Sequence, residues 1–413
     1  MGNESGNGNR DYDVIVMGAS GFTGKLVTEY LHERHPNGGA VHWAIAGRNE
    51  QKLRQVLEEL SIDANAPDVL LADSHDVASL LALTRKTKVM LSTVGPYALY
   101  GSELVAACVA NGTHYCDLSG EVQWMRKMID QHQDAAADSG ARIVHSCGFD
   151  SIPSDLGVQF LQQHAHDRYG RPCGRIELLV KAIKGGGSGG TIASALNAFD
   201  EGRKDRQVAR TMVDPYSLNP PGERTGPDGR DQRAIEFNTL AQSWTAPFIM
   251  AVVNMRVVRR SNAVMNYPYG RQFRYRESML TGSGAAGWMK SATVVGGLAG
   301  FVLASSFSLS RSLVIEKLIP KPGEGPDRNE RENGFYNLLL LGELDDGTVI
   351  RARVKGDRDP GYGSTSKMLS ESAVCLANDD LDVGGGFWTP ASAMGGILRD
   401  RLTRSAGLSF EIE

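Results

Sequence analysis

The feature that most constrains this chain is a seven-residue run close to its start, Gly18-Ala19-Ser20-Gly21-Phe22-Thr23-Gly24. Ahead of it, Val14-Ile15-Val16-Met17 is a continuous apolar run, too short for a helix and suited to a central strand of a parallel sheet. Behind it, Leu26, Val27, Tyr30 and Leu31 recur at helical spacing. The three glycines therefore occupy a strand-to-helix turn. Glycines in that position permit the sharp turn, let backbone N–H groups approach a pyrophosphate, and allow strand and helix to pack closely. A plain Gly-rich turn is the alternative, and the flanking strand and helix favour a dinucleotide site. The expected contacts are Gly18, Ser20, Gly21, Phe22, Thr23 and Gly24.

Alternating strand and helix patterns continue to about residue 150, the signature of a doubly wound sheet. "VHWAIAGR" reads as the second strand and "NEQKLRQVLEEL" as a helix capped by Asn49. The second strand ends at Gly47-Arg48-Asn49, with Lys52 one turn into the helix, where an NAD-selective fold places a carboxylate for the ribose 2′-OH. A carboxylate would repel a 2′-phosphate and Arg48 would clamp it, so NADPH is expected over NADH. Asp73, ending the third strand, reads equally as an adenine contact or as a capping residue. The loops "STVGPYALYG" and "CGFDSIPSD" are expected at the carboxyl edge of the sheet. There Thr93, Val94, Gly95 and Pro96 would line the nicotinamide, and Tyr97, Asp150 and Ser151 are the candidate catalytic groups.

Beyond residue 150 the pattern changes. "RIELLVKAI", "APFIMAVVNMRVVRRS", "FRYRESM", "FYNLLLLGEL" and "TVIRARVKG" read as longer strands, the last two joined at Asp345-Asp346-Gly347 by a hairpin turn. "PYSLNPPGERTGPDGRDQ" reads as a long exposed loop. Gly187, Ser188, Gly189 and Gly190 sit between a strand and a helix and could offer N–H groups to an oxyanion, or form a flexible turn. The expected fold class is α/β: an N-terminal Rossmann doubly wound parallel sheet with a second α+β domain containing a largely antiparallel sheet. The expected boundaries are a leader over 1–10, a dinucleotide domain over 11–150, a second domain over 151–356, and C-terminal helices over 357–413 folding back on the first.

Composition narrows the partners. A net charge of −4 over 413 residues provides no global field for nucleic acid. Cys108, Cys116, Cys147, Cys173 and Cys375 are scattered without a C-x-x-C pair, which argues against a metal cluster and for a reducing compartment. The leader has no apolar core of a signal peptide. From Phe237 to Arg276 there is no Asp or Glu but six arginines, a basic stretch that could meet an acidic partner or form solvated strand faces. Residues 291–310 carry no charge, about 30 Å as a helix, and read as a spanning, interfacial or buried segment.

Together "DVIVMGASGFTGKL", "AGRNEQKL", "STVGPYALYG", "HYCDLSGE", "CGFDSIPSDLG" and "DPGYGSTSKMLSESAVCLA" resemble the saccharopine dehydrogenase-like oxidoreductases over essentially the whole chain. Within that family the chain looks most like the mycobacterial trans-acting enoyl reductases. The resemblance implies reduction of an α,β-unsaturated acyl or polyketide thioester, carrier-protein bound on a synthase, in lipid or glycolipid biosynthesis. It implies a cytoplasmic protein, peripheral at the inner face of the plasma membrane if residues 291–310 contact lipid, and a homodimer is compatible with it. Two other readings stay open: a saccharopine-type or imine-reducing dehydrogenase, and a non-catalytic nucleotide-binding protein associated with lipid.

Overall fold

The computed structural model describes residues 10–36, 39–63, 67–185, 189–306 and 325–413. Most of the expected leader lies outside them. The chain begins with β1 (Tyr12–Met17), α1 (Phe22–Arg34), β2 (Trp43–Gly47), α2 (Glu50–Glu59), β3 (Asp68–Leu71) and α3 (Val77–Thr84). It continues through β4 (Thr87–Ser92), α4 (Tyr97–Tyr100), α5 (Ser102–Ala110), β5 (His114–Asp117), α6 (Val122–Ser139) and β6 (Arg142–Val144). Next come α7 (Ile152–Tyr169), β7 (Arg175–Lys184), α8 (Gly189–Lys204), α9 (Arg206–Val213), β8 (Glu236–Asn238), β9 (Ser243–Pro247), α10 (Ala251–Val264), β10 (Arg274–Gly282) and α11 (Gly284–Ser306). The last elements are α12 (Arg328–Glu332), β11 (Phe335–Glu343), β12 (Val349–Gly356), α13 (Thr365–Asn378), β13 (Gly386–Trp388), α14 (Pro390–Ala393), α15 (Gly395–Ser405) and β14 (Leu408–Ile412).

Two compact units result: Met1–Ile152 with Tyr362–Ala406, and Pro153–Gly361 with Gly407–Glu413. The first holds a parallel seven-stranded sheet in the order β13-β6-β5-β4-β1-β2-β3. Strand order reverses between β1 and β4, which opens a crevice at the carboxyl ends of the strands. β1 is buried from Asp13 to Met17, as its unbroken apolar run requires of a strand covered on both faces. α2 starts where Asn49 accepts a hydrogen bond from the Lys52 N–H, and it buries Leu53, Val56 and Leu57 on one face.

The tail completes this unit in a way its helical pattern did not suggest. α13 packs against α1, β1, β4 and β5, and the Tyr30 hydroxyl donates to Glu371 Oε1 at 2.7 Å. Between the helices, β13 joins β6 in parallel with Phe387 opposite Ile143, adding a seventh strand, while β14 joins the other unit. All five cysteines are buried and free, and no cluster of metal-ligating side chains occurs among the described residues.

The second unit holds a mixed sheet, β14-β12-β11-β7-β10-β9-β8, antiparallel except where β10 pairs with β7. The β11–β12 hairpin closes at Gly347, whose φ of +84° is a left-handed conformation natural to glycine. α7 lies on this sheet at Gly157, where an added Cβ would stand 3.0 Å from Val354 Cγ2 and 3.3 Å from Leu340 Cδ2.

The run 246–261, expected as one strand, divides at Pro247. Its first two residues end β9 and most of the remainder forms α10. The arginines explain why a nearly all-buried helix forms there. Arg256, Arg259 and Arg260 stand at i, i+3 and i+4 on one helix face and are buried. Arg256 donates to Asp231 and to the Met212 and Val252 carbonyls. Arg259 donates to Asp228 at 2.7 Å and to the Pro215 and Tyr275 carbonyls, and Arg260 donates to the Leu218 carbonyl. They hold down the Pro- and Gly-rich segment expected as an exposed loop, which buries Tyr216 and Leu218. Half of the basic stretch is thus consumed inside the fold; exposed Arg271 and half-buried Arg276 pair with Glu223 and Glu236, and Arg274 is exposed.

Candidate active site

Each glycine of the β1–α1 turn has a separate geometric reason. Gly18 has φ +90°, and a Cβ on it would lie 2.6 Å from Val94 Cγ2 and 2.9 Å from Thr93 Oγ1. A Cβ on Gly24 would fall 2.1 Å from the Gly18 carbonyl oxygen and 2.8 Å from Ala19 Cα, so this position sets how closely α1 approaches β1. Gly21 differs. Its φ and ψ of −82° and 165° suit any residue, and a Cβ there would meet only the Gly18 oxygen at 3.3 Å. The contact with the Gly18 oxygen is relieved by a shift of a few tenths of an ångström, and the N-terminus of the 13-residue α1 has no side-chain cap. An open cradle over uncapped N–H groups is what a pyrophosphate requires. The residues present fit a dinucleotide.

The loop after β4 closes against this turn. Thr93 N–H donates to the Met17 carbonyl at 3.0 Å, and its hydroxyl lies 3.2 Å from the Met17 and Gly18 carbonyls. Thr93 and Val94 are therefore brought to Gly18, with Gly95 and Pro96 continuing the same edge. Ser20 is exposed, Phe22 and Thr23 are half-buried, and the Phe22 ring meets Tyr362 edge-on at 4.7 Å. Arg48 and Lys52 are exposed at the end of β2 and start of α2, and neither forms an ion pair with a described residue. Asp73 Oδ1 accepts from the His75 N–H at 2.9 Å, while the cap of α3 is Asp76.

Tyr97 is placed where it cannot act as an exposed acid. Its hydroxyl donates to the Ser92 carbonyl at 3.0 Å, its ring stacks on Trp124, and burial followed by the nearby Asp117 carboxylate pushes the phenol well above its ordinary range. Ser151 is fully buried at φ +123°, a strained value for serine, and its N–H donates to the Phe149 carbonyl at 2.8 Å. Asp150 beside it is half-buried. Of the expected oxyanion loop, Gly187 and Ser188 lie outside the described residues, and Gly189 and Gly190 open α8.

Two carboxylates that no sequence pattern assigned a role organise the carboxyl edge of the sheet. Glu121 accepts from the Tyr97 N–H at 2.7 Å and the Ala98 N–H at 2.9 Å, capping α4 from across the sheet. Asp117 is fully buried. Its Oδ1 accepts from the Ser119 and Ser146 N–H groups at 3.0 and 3.1 Å, and its Oδ2 from the Tyr115 hydroxyl at 3.0 Å and His145 Nδ1 at 2.8 Å. The carboxylate acceptor makes Nδ1 the protonated nitrogen of His145. His145 Nε2 is buried among Trp124, Tyr115 and Phe387 with no partner among the described residues. Ser146 has φ +60°, so Asp117 anchors a strained turn from which "CGFDS" departs. The signal in the sequence was "DLSGE", two acids four residues apart, the first of them ending a strand.

Residues 14–144 match the family described as the saccharopine dehydrogenase NADP binding domain, which makes NADP(H) the cofactor. A Mycobacterium tuberculosis protein provisionally named a trans-acting enoyl reductase is 43% identical over 415 residues, covering 97% of each chain. The chain belongs to the saccharopine dehydrogenase-like oxidoreductases. Within this family it is also similar to the trans-acting enoyl reductase of Mycobacterium bovis, 39% identical over 95% of this chain and 96% of that one. As a saccharopine dehydrogenase-like oxidoreductase it shares its fold with apo saccharopine dehydrogenase (L-Glu forming) of Saccharomyces cerevisiae. That match has TM-score 0.54 and 11% identity over 97% of this chain and 100% of the other. The protein is an NADP-dependent oxidoreductase.

Proposed function

We propose that this oxidoreductase reduces the carbon–carbon double bond of an α,β-unsaturated acyl thioester, in trans to the synthase that makes it. The observation that carries this reading is end-to-end similarity, at 39–43% identity, to proteins named trans-acting enoyl reductases, around a cradle that fits NADPH. When bound, NADPH supplies a hydride to the β-carbon of the substrate. The chain's own part is to bind and orient. With the Gly21 N–H donated to the Gly18 carbonyl, the first turn of α1 that follows it would hold the pyrophosphate, with Ser20 and Thr23 on its rim, and Thr93 to Pro96 would line the nicotinamide. With the Tyr97 hydroxyl committed to Ser92, the α-carbon takes its proton from water in this reading. A place in lipid biosynthesis follows for a synthase lacking its own enoyl reduction.

Arg48 is the 2′-phosphate ligand in this reading, because it is exposed and pairs with no carboxylate among the described residues. Arg48→Asp is expected to weaken NADPH binding by about 1.5–3 kcal/mol, the scale of a hydrogen bond to a charged group, and to leave NADH nearly unchanged. Calorimetric titration with each cofactor reads this, and an equal loss for both would remove Arg48 from the role.

The activity itself is tested by supplying NADPH and a trans-2-enoyl thioester to the full chain. Consumption of reduced nicotinamide, with a product two hydrogens heavier, is the expected result. Turnover of an oxo acid with an amine instead would indicate imine reduction. Binding without turnover of either would point to a non-catalytic role.

A further inference from the structure

We propose that the outer face of α11 docks on an anionic lipid bilayer, with the helix lying flat in the interface. α11 is 23 residues long, about 35 Å at 1.5 Å per residue, and Lys290 is its one charged side chain. Its inner seam is occupied. Gly287 and Ser291 are buried, α11 packs against β9 and β10, and the Ser291 and Thr281 hydroxyls lie 2.7 Å apart. A Cβ on Gly287 would stand 2.0 Å from the Gly282 oxygen, so the helix cannot move off this support without breaking a close backbone contact.

Beyond that seam, which reaches only the first turns, the helix is exposed among the described residues. Trp288, Met289, Val302 and Leu303 are 48, 58, 45 and 61% exposed, and only 11% of the most apolar 18-residue window is buried. Between those pairs, Gly296, Gly297 and Gly300 are exposed with open space where a Cβ would be. Exposed mid-helix glycines weaken a helix in water. At a lipid surface, unpaired backbone groups are costlier, so the same sequence holds its helix better there.

Charge selects the kind of lipid. From Ser278 to Ile315 the chain has no Asp or Glu, and its charges there are Lys290 and Arg311, which bracket the uncharged run 291–310. Arg311 and residues 307–310 lie outside the described residues; Lys290 is exposed on α11, and with no acid near it in sequence it favours anionic headgroups. Trp288 and Lys290 stand on different sides of α11 and are both exposed, an amphipathic ring and a cation of the kinds found at the headgroup level. Because β9 and β10 hold α11 at Gly287 and Ser291, its N-terminal turns are fixed and the helix does not span; lipid meets the exposed turns that follow.

Vesicle flotation of the full chain tests this. The protein is expected to float with equimolar phosphatidylglycerol and phosphatidylcholine, and several-fold less with phosphatidylcholine alone or at high salt. Lys290→Glu should lower binding to the anionic vesicles by about fivefold or more. A Val302→Ser/Leu303→Ser double variant should lower it by about tenfold. All three positions are exposed, so helicity and NADPH binding should match the unmodified chain. Failure of the intact chain to float with either vesicle overturns the proposal, as does flotation of both variants like the unmodified chain. A dimer in sedimentation velocity that the double variant breaks, without vesicle binding, would assign this face to a second copy and also overturn it.

Discussion

Gly21→Val is expected to lower NADPH affinity by at least about a hundredfold while the chain stays folded. The backbone at Gly21 is already in the extended region, so valine brings no conformational strain, and its Cβ approaches only the Gly18 oxygen at 3.3 Å. What the side chain does occupy is the cradle, and excluding the pyrophosphate from two backbone N–H groups removes hydrogen bonds of about 1.5–3 kcal/mol each. Fluorescence titration with NADPH reads the loss, and circular dichroism with thermal unfolding reads the fold. Gly24→Ala is the contrasting variant. Its Cβ would lie 2.1 Å from a backbone oxygen, so it should cost roughly 1–3 kcal/mol of stability or more, together with binding. Unaltered NADPH affinity in Gly21→Val would reduce the glycine run to a turn.

Asp117→Ala is expected to destabilise the unit containing β1–β6 by about 3–5 kcal/mol, since each buried donor left without its acceptor costs about 1–3 kcal/mol and part of that loss relaxes. Alanine leaves the Ser119 N–H, the Ser146 N–H, the Tyr115 hydroxyl and the His145 ring without their acceptor in a fully buried position. Asp117→Asn should cost less. Its carbonyl can still accept from the two N–H groups, and its amide can donate to the phenol oxygen and to His145 once the proton moves to Nε2. Urea unfolding of the three proteins gives the order. If alanine and asparagine cost the same, the accounting by hydrogen-bond satisfaction is wrong at this site. Because Asp117 also anchors the turn at Ser146, NADPH turnover should fall in the alanine variant even where it remains folded.

Much of the first unit was legible because its signals are local. An unbroken apolar run marks a buried parallel strand, a Gly triplet marks the turn into α1, and Asn49 marks the start of α2. The same locality misled at Ala246–Ser261, where valine-rich composition suggested a strand. The outcome there depended on carboxylates and carbonyls up to 44 residues away in sequence, which turned three arginines inward. Half of the basic stretch counted from the sequence is an internal clamp, while Arg271 and Arg274 stay exposed.

By itself the sequence determined the strand–glycine–helix cradle, the preference for NADP(H) and the family, since each is written in contiguous residues. Tertiary structure alone decided that Tyr97 is a core hydroxyl and that Asp117 and Glu121 hold the sheet edge together. It also decided that the tail adds β13 to the parallel sheet and β14 to the mixed one, and that most of α11 is exposed among the described residues. The physical reason is the same in each case. Whether a hydroxyl, a carboxylate or an apolar side chain is free to act depends on which distant donors, acceptors and strands reach it, and that information is absent from the spacing of residues along one segment.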